Sequence, residues 1–193
     1  NNAITHNLGV APELLIIKNR ASDASGDWYT FHTFTSSNFK KQLLSTTDAQ
    51  TNYTYGSFLD AQPTSTTFTV NSGAGCNASG ITYVAYLFAT CPNVSKVTTF
   101  TGNGSSQTIN CGFTSGARFV MIKRVDSTGN WTVFDTARGI SSGGDPALYL
   151  NSTAAEVTGV DAIDTDSTGF IVNQESTFNL NVSSATYLVL AIA

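Results

Sequence analysis

The sequence predicts an all-β fold made of two tandem antiparallel β-sandwich repeats, jelly-roll-like and related by internal duplication. Three observations predict it. Leu14–Leu15–Ile16–Ile17–Lys18, followed by Gly26–Asp27–Trp28–Tyr29–Thr30–Phe31, returns just over a hundred residues later. It comes back as Phe119–Val120–Met121–Ile122–Lys123 with Gly129–Asn130–Trp131–Thr132–Val133–Phe134. A period this long marks a duplicated domain rather than a short solenoid unit. Second, short apolar or alternating runs recur at sandwich spacing, separated by Gly/Ser/Asp/Asn turns. Third, no segment of helical length carries a convincing 3.6-residue pattern.

The elements follow in order. Leu14–Leu15–Ile16–Ile17 and Phe119–Val120–Met121–Ile122 are continuous apolar runs, as central buried strands are. Residues 28–34 alternate large and polar side chains, the period of a half-buried strand. Phe68–Thr69–Val70 answers Gly169–Phe170–Ile171–Val172, and residues 82–88 answer 186–192, closing each copy. Turns are expected at 21–26, 71–75, 126–129 and 141–146, where Gly, Ser, Asp and Asn cluster. Residues 48–51 and 154–157 could each make one helical turn. The Cys91–Pro92–Asn93 stretch is the natural joint, which places the repeats at 1–92 and 93–193.

Composition bounds the function. Of 193 residues, 41% are hydrophobic and 11% aromatic, enough for a core, while only 11% are charged. The net charge of −4 comes with scattered basic residues, which leaves no electrostatic footprint for nucleic acid or an anionic membrane. The chain opens without a methionine or a signal peptide. The second copy also carries a segment, residues 97–109, that the first copy matches only at its end, so the protein is expected to continue in at least one direction. Cys76, Cys91 and Cys111 are too few for a disulfide framework. Inert thiols are expected, with a Cys91–Cys111 bridge as the alternative.

Chemistry-bearing patterns are sparse. Neither His6 nor His32 recurs in the other copy, and no nucleophile elbow, zinc-protease, phosphate-loop or dinucleotide motif is present. No enzyme and no cofactor are therefore expected; His32 reads as a surface or cavity-edge histidine. Asp161, Asp164 and Asp166, closed by Gly169, resemble a calcium loop but lack its terminal bidentate glutamate. A solvated turn before a strand is the competing reading, and the equivalent segment keeps only Asp60. Trp28 and Trp131 occupy matching positions beside loops, as sugar-stacking platforms or as core residues. Lys18 and Lys123 match as well, and structural ion pairs with Glu13, Asp27, Asp126 or Asp135 are expected. Sequons at Asn52, Asn77, Asn93, Asn103, Asn130, Asn151 and Asn181 are of the number expected in so Asn-, Ser- and Thr-rich a chain.

Residues 4–18, Ile-Thr-His-Asn-Leu-Gly-Val-Ala-Pro-Glu-Leu-Leu-Ile-Ile-Lys, resemble an I-x-H-G-L-G-x-x-P-x-L-I-x-V-K entry motif. With residues 129–138 and the closing 82–89 they are similar to a tandem β-repeat of virion proteins of tailed bacteriophages, often marine ones. Asn7 departs from the usual glycine, and Ser115–Gly116–Ala117 stands where the second copy would carry the proline. The resemblance implies a virion, hence extracellular, structural or surface protein: capsid decoration, head fibre or tail-fibre module. Its partners would be other virion proteins and further copies of itself, with a host-surface glycan as a possible ligand and no nucleic acid or membrane. The alternative is a carbohydrate-binding, lectin-like module using Trp28 and Trp131.

Overall fold

The computed structural model describes residues 2–21, 27–34, 41–51, 59, 61–71, 75–141 and 143–193. The chain divides into two compact units: Asn1–Thr46 with Gln50–Ala89, and Thr47–Ala49 with Thr90–Ala193. Among the described residues all regular structure is β. The Asn52 sequon, Asp60 and most of the expected turns at 21–26 and 71–75 lie outside the described residues.

Unit one contains β1 (Asn2–Thr5), β2 (Leu14–Asn19), β3 (Trp28–His32), β4 (Gln42–Leu43), β5 (Thr67–Val70) and β6 (Tyr83–Phe88). Its strands form a sheet of order β4-β3-β2-β6 and a β1-β5 pair, all antiparallel. Leu15, Ile17 and Phe31 of the first sheet share a core with Phe68 and Val70 of the second, and with Leu59 and Cys76. The alternate residues Leu14 and Ile16 are buried as well. That explains why β2 reads as a continuous apolar run rather than an alternating one.

Unit two contains β7 (Ser95–Thr101), β8 (Gln107–Asn110), β9 (Phe119–Arg124), β10 (Trp131–Asp135) and β11 (Leu148–Tyr149). It continues with β12 (Ile163–Asp166), β13 (Gly169–Val172) and β14 (Thr186–Ile192). The sheet orders are β11-β10-β9-β14-β7 and β12-β13-β8, again antiparallel. Val120 and Ile122 of β9, Phe134 of β10 and Tyr187 and Val189 of β14 meet Ile109, Ile163, Phe170 and Val172 of the second sheet in one core. Each core thus lies between two sheets, the packing of a sandwich.

The units pair their strands alike. The order β4-β3-β2-β6 has the same sequence positions as β11-β10-β9-β14, and β1-β5 as β8-β13. Turn bonds match too. Glu13 N–H donates to Phe88 O at 2.8 Å, and Arg118 N–H to Ile192 O at 2.7 Å. Leu44 N–H donates to Trp28 O, and Leu150 N–H to Trp131 O, both at 2.9 Å. Ala78 N–H donates to Tyr83 Oη at 2.9 Å, and Val182 N–H to Tyr187 Oη at 3.1 Å.

Two expectations are corrected. Residues 48–51 and 154–157 form no helical turn; Thr51 bridges to Lys41 and Val157 to Ala147 instead. An isolated helical turn has one hydrogen bond to offset the ordering of several residues, whereas each of these bridges is closed by two reciprocal backbone hydrogen bonds.

Candidate functional site

Lys18 and Trp28 face each other across β2 and β3, as Lys123 and Trp131 do across β9 and β10. Each ammonium sits 5.8 Å from the indole centroid opposite, within cation–π range. Lys123 is fully buried. Its Nζ donates to Thr47 O at 3.0 Å and Gly129 O at 2.7 Å, while Gly129 N–H donates to Thr47 O at 2.9 Å. Burial pushes its pKa down to about 8, against a smaller opposing pull from Asp48. The ion pair expected here is not what holds it. Asp126 pairs with Arg124 at 3.0 Å and Asp135 with Arg138 at 2.7 Å, so carbonyl oxygens and the indole face solvate this ammonium.

The two tryptophans part company. Trp131 is 0% exposed and its backbone N–H donates to Asn151 Oδ1 at 2.8 Å. Its indole has no face open to a ligand, so it serves as a core residue and cation shield. Trp28 is half-buried and stacks on Tyr86 with centroids 6.2 Å apart and planes 21° from parallel. Tyr86 is 46% exposed. An aromatic surface in unit one is therefore Trp28 with Tyr86 and the Lys18 ammonium. Tyr86 escaped sequence reasoning, although one signal was there: the matching strand position in unit two is Leu190.

Asp164 and Asp166 lie on β12, and only Ser167 and Thr168 form the turn into β13. The segment is a hairpin, not a coordinating loop. Asn173 Nδ2 donates to Asp161 Oδ1 at 3.1 Å and to Asp164 Oδ2 at 3.0 Å. Asp166 Oδ1 accepts from Thr168 Oγ1 at 2.6 Å and from its N–H at 2.8 Å, which holds its carboxyl below the usual range. Among the described residues no three His, Cys, Asp or Glu side chains gather as a metal set.

Several polar anchors are buried where the sequence suggested loops. Asp145 is fully buried, its carboxylate accepting from Ser141, Ala162 and Ile163 N–H, each at 2.9 Å. Three charge-assisted bonds satisfy an ion that would otherwise not tolerate burial. Asn181 is also fully buried; its Oδ1 accepts from Gln107 Nε2 at 2.6 Å and Asn103 N–H at 3.1 Å. Its Nδ2 donates to Val172 O at 3.2 Å and to Ser105 O. This sequon asparagine has no room for a glycan. His32, expected near the surface, is 1% exposed with its Nε2 2.8 Å from Gln50 Nε2. Cys91 and Cys111 are both thiols, so the bridge between them is not formed. Cys91 is exposed, and burial pushes Cys76 and Cys111 up to about 11.

Unit one holds a cleft of about 340 Å³ beside β6, lined by Ile4, Phe68, Cys76, Asn77, Tyr83 and others. Asn2 Nδ2 donates to Asn77 Oδ1 at 2.9 Å on its wall. A second hollow of about 290 Å³ lies in unit two near Arg118, Thr136 and Asp166. A single carboxylate lines it, short of the pair that carboxylate catalysis of glycoside bonds requires.

No curated protein and no solved structure matches the chain. One family model does, described as a domain of unknown function, and it spans residues 1–193. The chain therefore belongs to the DUF7483 family.

Proposed function

We propose that this protein is a structural or surface component of a bacteriophage virion, built as two copies of one β-sandwich related by duplication. It acts by protein assembly, as capsid decoration, head fibre or tail-fibre module, with host-surface adhesion as an added role. The observation that carries the reading is the doubling of the scaffold: the pairing order of six strands and the same turn bonds recur in both units, with β7 and β12 added in unit two. What recurs is framework, including the Lys–Trp pairs, and among the described residues no constellation of reacting groups recurs with it. Repetition of a framework serves assembly and avidity. The entry motif at residues 4–18 and the closing strands supply the virion side of the argument. Partners are then other virion proteins and further copies of the chain, outside the cell. No catalysis is assigned.

Imaging the native source particle by cryo-electron microscopy tests this. Density for the two-unit body on a capsid lattice or fibre is expected; its absence from purified particles refutes the virion reading. One observation favours a second reading, a carbohydrate-binding module: the Trp28–Tyr86 stack with an exposed tyrosine ring. Glycan-array binding abolished in both Trp28→Ala and Tyr86→Ala would move the conclusion there.

A further inference from the structure

We propose that the outer edge of β6 and the cleft beside Asn77 form a slot for an extended polypeptide strand of β7 chemistry, supplied by a neighbouring chain. The inference rests on the two-copy reading above and deepens it by naming what unit one docks.

The argument compares the closing strands. β14 is central, hydrogen-bonded to β9 on one side and β7 on the other. Its counterpart β6 is paired with β2 alone among the described residues. Glu13 N–H reaches Phe88 O and Arg20 N–H reaches Thr82 O, so even-numbered residues of β6 turn their backbone groups to β2. Ala85 and Leu87 turn theirs outward. The core-facing residues tell the same story. Tyr187, Val189 and Ala191 are each 0% exposed, whereas Tyr83, Ala85 and Leu87, which pack on the core of unit one, are only half-buried. An edge offering backbone groups next to half-buried core side chains is the requirement for strand addition.

The cleft specifies the chemistry of the strand. In unit two, Phe100 of β7 stacks on Tyr187 at 4.9 Å, and the chain turns through Gly102 into Asn103, Gly104 and Ser105. That turn gives the Asn103 N–H to Asn181 Oδ1 and takes the Asn181 Nδ2 bond at Ser105 O. Asn77 is the equivalent of Asn181 and makes the other half of the network. Its Nδ2 donates to Val70 O at 3.5 Å, as Asn181 does to Val172 O, and its Oδ1 accepts from Asn2 as Asn181 accepts from Gln107. The two bonds that the 103–105 turn makes have no counterpart at Asn77 among the described residues. Asn77 and Tyr83 line the cleft of about 340 Å³. The occupant is thus a Thr-rich strand with an aromatic residue opposite Tyr83, followed by a Gly-Asn-Gly-Ser turn whose backbone completes the Asn77 amide.

The test uses the whole chain and a synthetic peptide of residues 95–107. Saturable one-to-one binding by calorimetry is expected, with slowed hydrogen exchange at the Ala85 and Leu87 amides. The Phe100→Asp peptide, and the wild-type peptide against Asn77→Asp protein, should each bind about tenfold more weakly or worse, a loss of about 1.4 kcal/mol. The Asn77 carboxylate of that variant cannot donate, and the scrambled peptide serves as a control on unaltered protein. Absence of saturable binding overturns the proposal, as does protection at β14 in place of β6 or binding indifferent to Phe100. Particle imaging is independent of this result: a chain found on virions with a peptide that does not bind keeps the assembly reading and discards the slot.

Discussion

Lys123 gives the sharpest prediction, because a buried ammonium couples stability to pH. Its pKa is about 8 in the folded protein against an ordinary 10.5. Below pH 8 both states carry the charge, and folding bears the full cost of desolvating it. Between 8 and 10.5 the unfolded chain binds more protons than the folded one, so this group makes stability rise with pH. At about 1.36 kcal/mol per pKa unit the gain is about 1.3 kcal/mol from pH 7 to pH 9, approaching about 3 kcal/mol above the unfolded pKa. Cys76 and Cys111 act oppositely: their pKa values rise from 9.0 to about 11. The unfolded thiols ionise first, which costs about 0.4 kcal/mol each by pH 9. Wild type should therefore gain slightly between pH 7 and 9, while Lys123→Met loses about 0.8 kcal/mol, a divergence of about 1.3 kcal/mol. Denaturant titrations at the two pH values measure it. Parallel pH profiles for the two proteins would refute the assignment of the buried charge.

Other substitutions follow from the same packing. Trp131→Ala should cost about 3–5 kcal/mol by leaving a large void beside Lys123; Trp28→Ala should cost clearly less, since that indole is half-buried, and paired thermal melts compare them. Asp145→Asn keeps the shape but gives up the charge and one acceptor oxygen facing three N–H groups, so about 2–4 kcal/mol should be lost in chemical denaturation. Gly102→Ala brings a Cβ against the Val182 carbonyl, a backbone neighbour that cannot swing aside; about 1–3 kcal/mol of destabilisation is expected from the thermal midpoint. A thiol reagent at pH 8 should label Cys91 in the native protein within minutes, with Cys76 and Cys111 reacting only on unfolding.

How far the fold could be read from residues varied with the physical signal. β2 and β9 stand out because both their faces are buried, which makes an uninterrupted apolar run. β7 and β8 are mostly polar, with only Val97, Phe100 and Ile109 apolar, and all four β1 residues are exposed, so hydrophobic pattern had little to report. β12 was masked by its acids: Asp164 and Asp166 look like a loop until pairing with β13 supplies the ladder that holds them. Among site residues, Lys123 was misassigned because sequence lists possible counter-charges but not carbonyl oxygens three-dimensionally gathered by Thr47 and Gly129. Asp145 sits in a Gly-Gly-Asp-Pro run that reads as a turn, and nothing local reveals that the distant Ala162 and Ile163 amides join the nearby Ser141 amide around its carboxylate. The matched tryptophans were found readily, yet matching strand positions in the two units did not mean equal exposure.

The placement of β14 has a consequence for biosynthesis. It is the last strand of unit two to leave the ribosome, yet it lies between β9 and β7 and supplies Tyr187, Val189 and Ala191 to the core. Until it emerges, β7 has no partner strand among the described residues and β9 has an open side, so unit two cannot close. Ser95 must wait for Ile192, its partner nearly a hundred residues downstream, and contacts of such separation form slowly. The nascent chain therefore carries these open strand edges throughout the synthesis of unit two, a window in which pairing with another copy competes with self-closure.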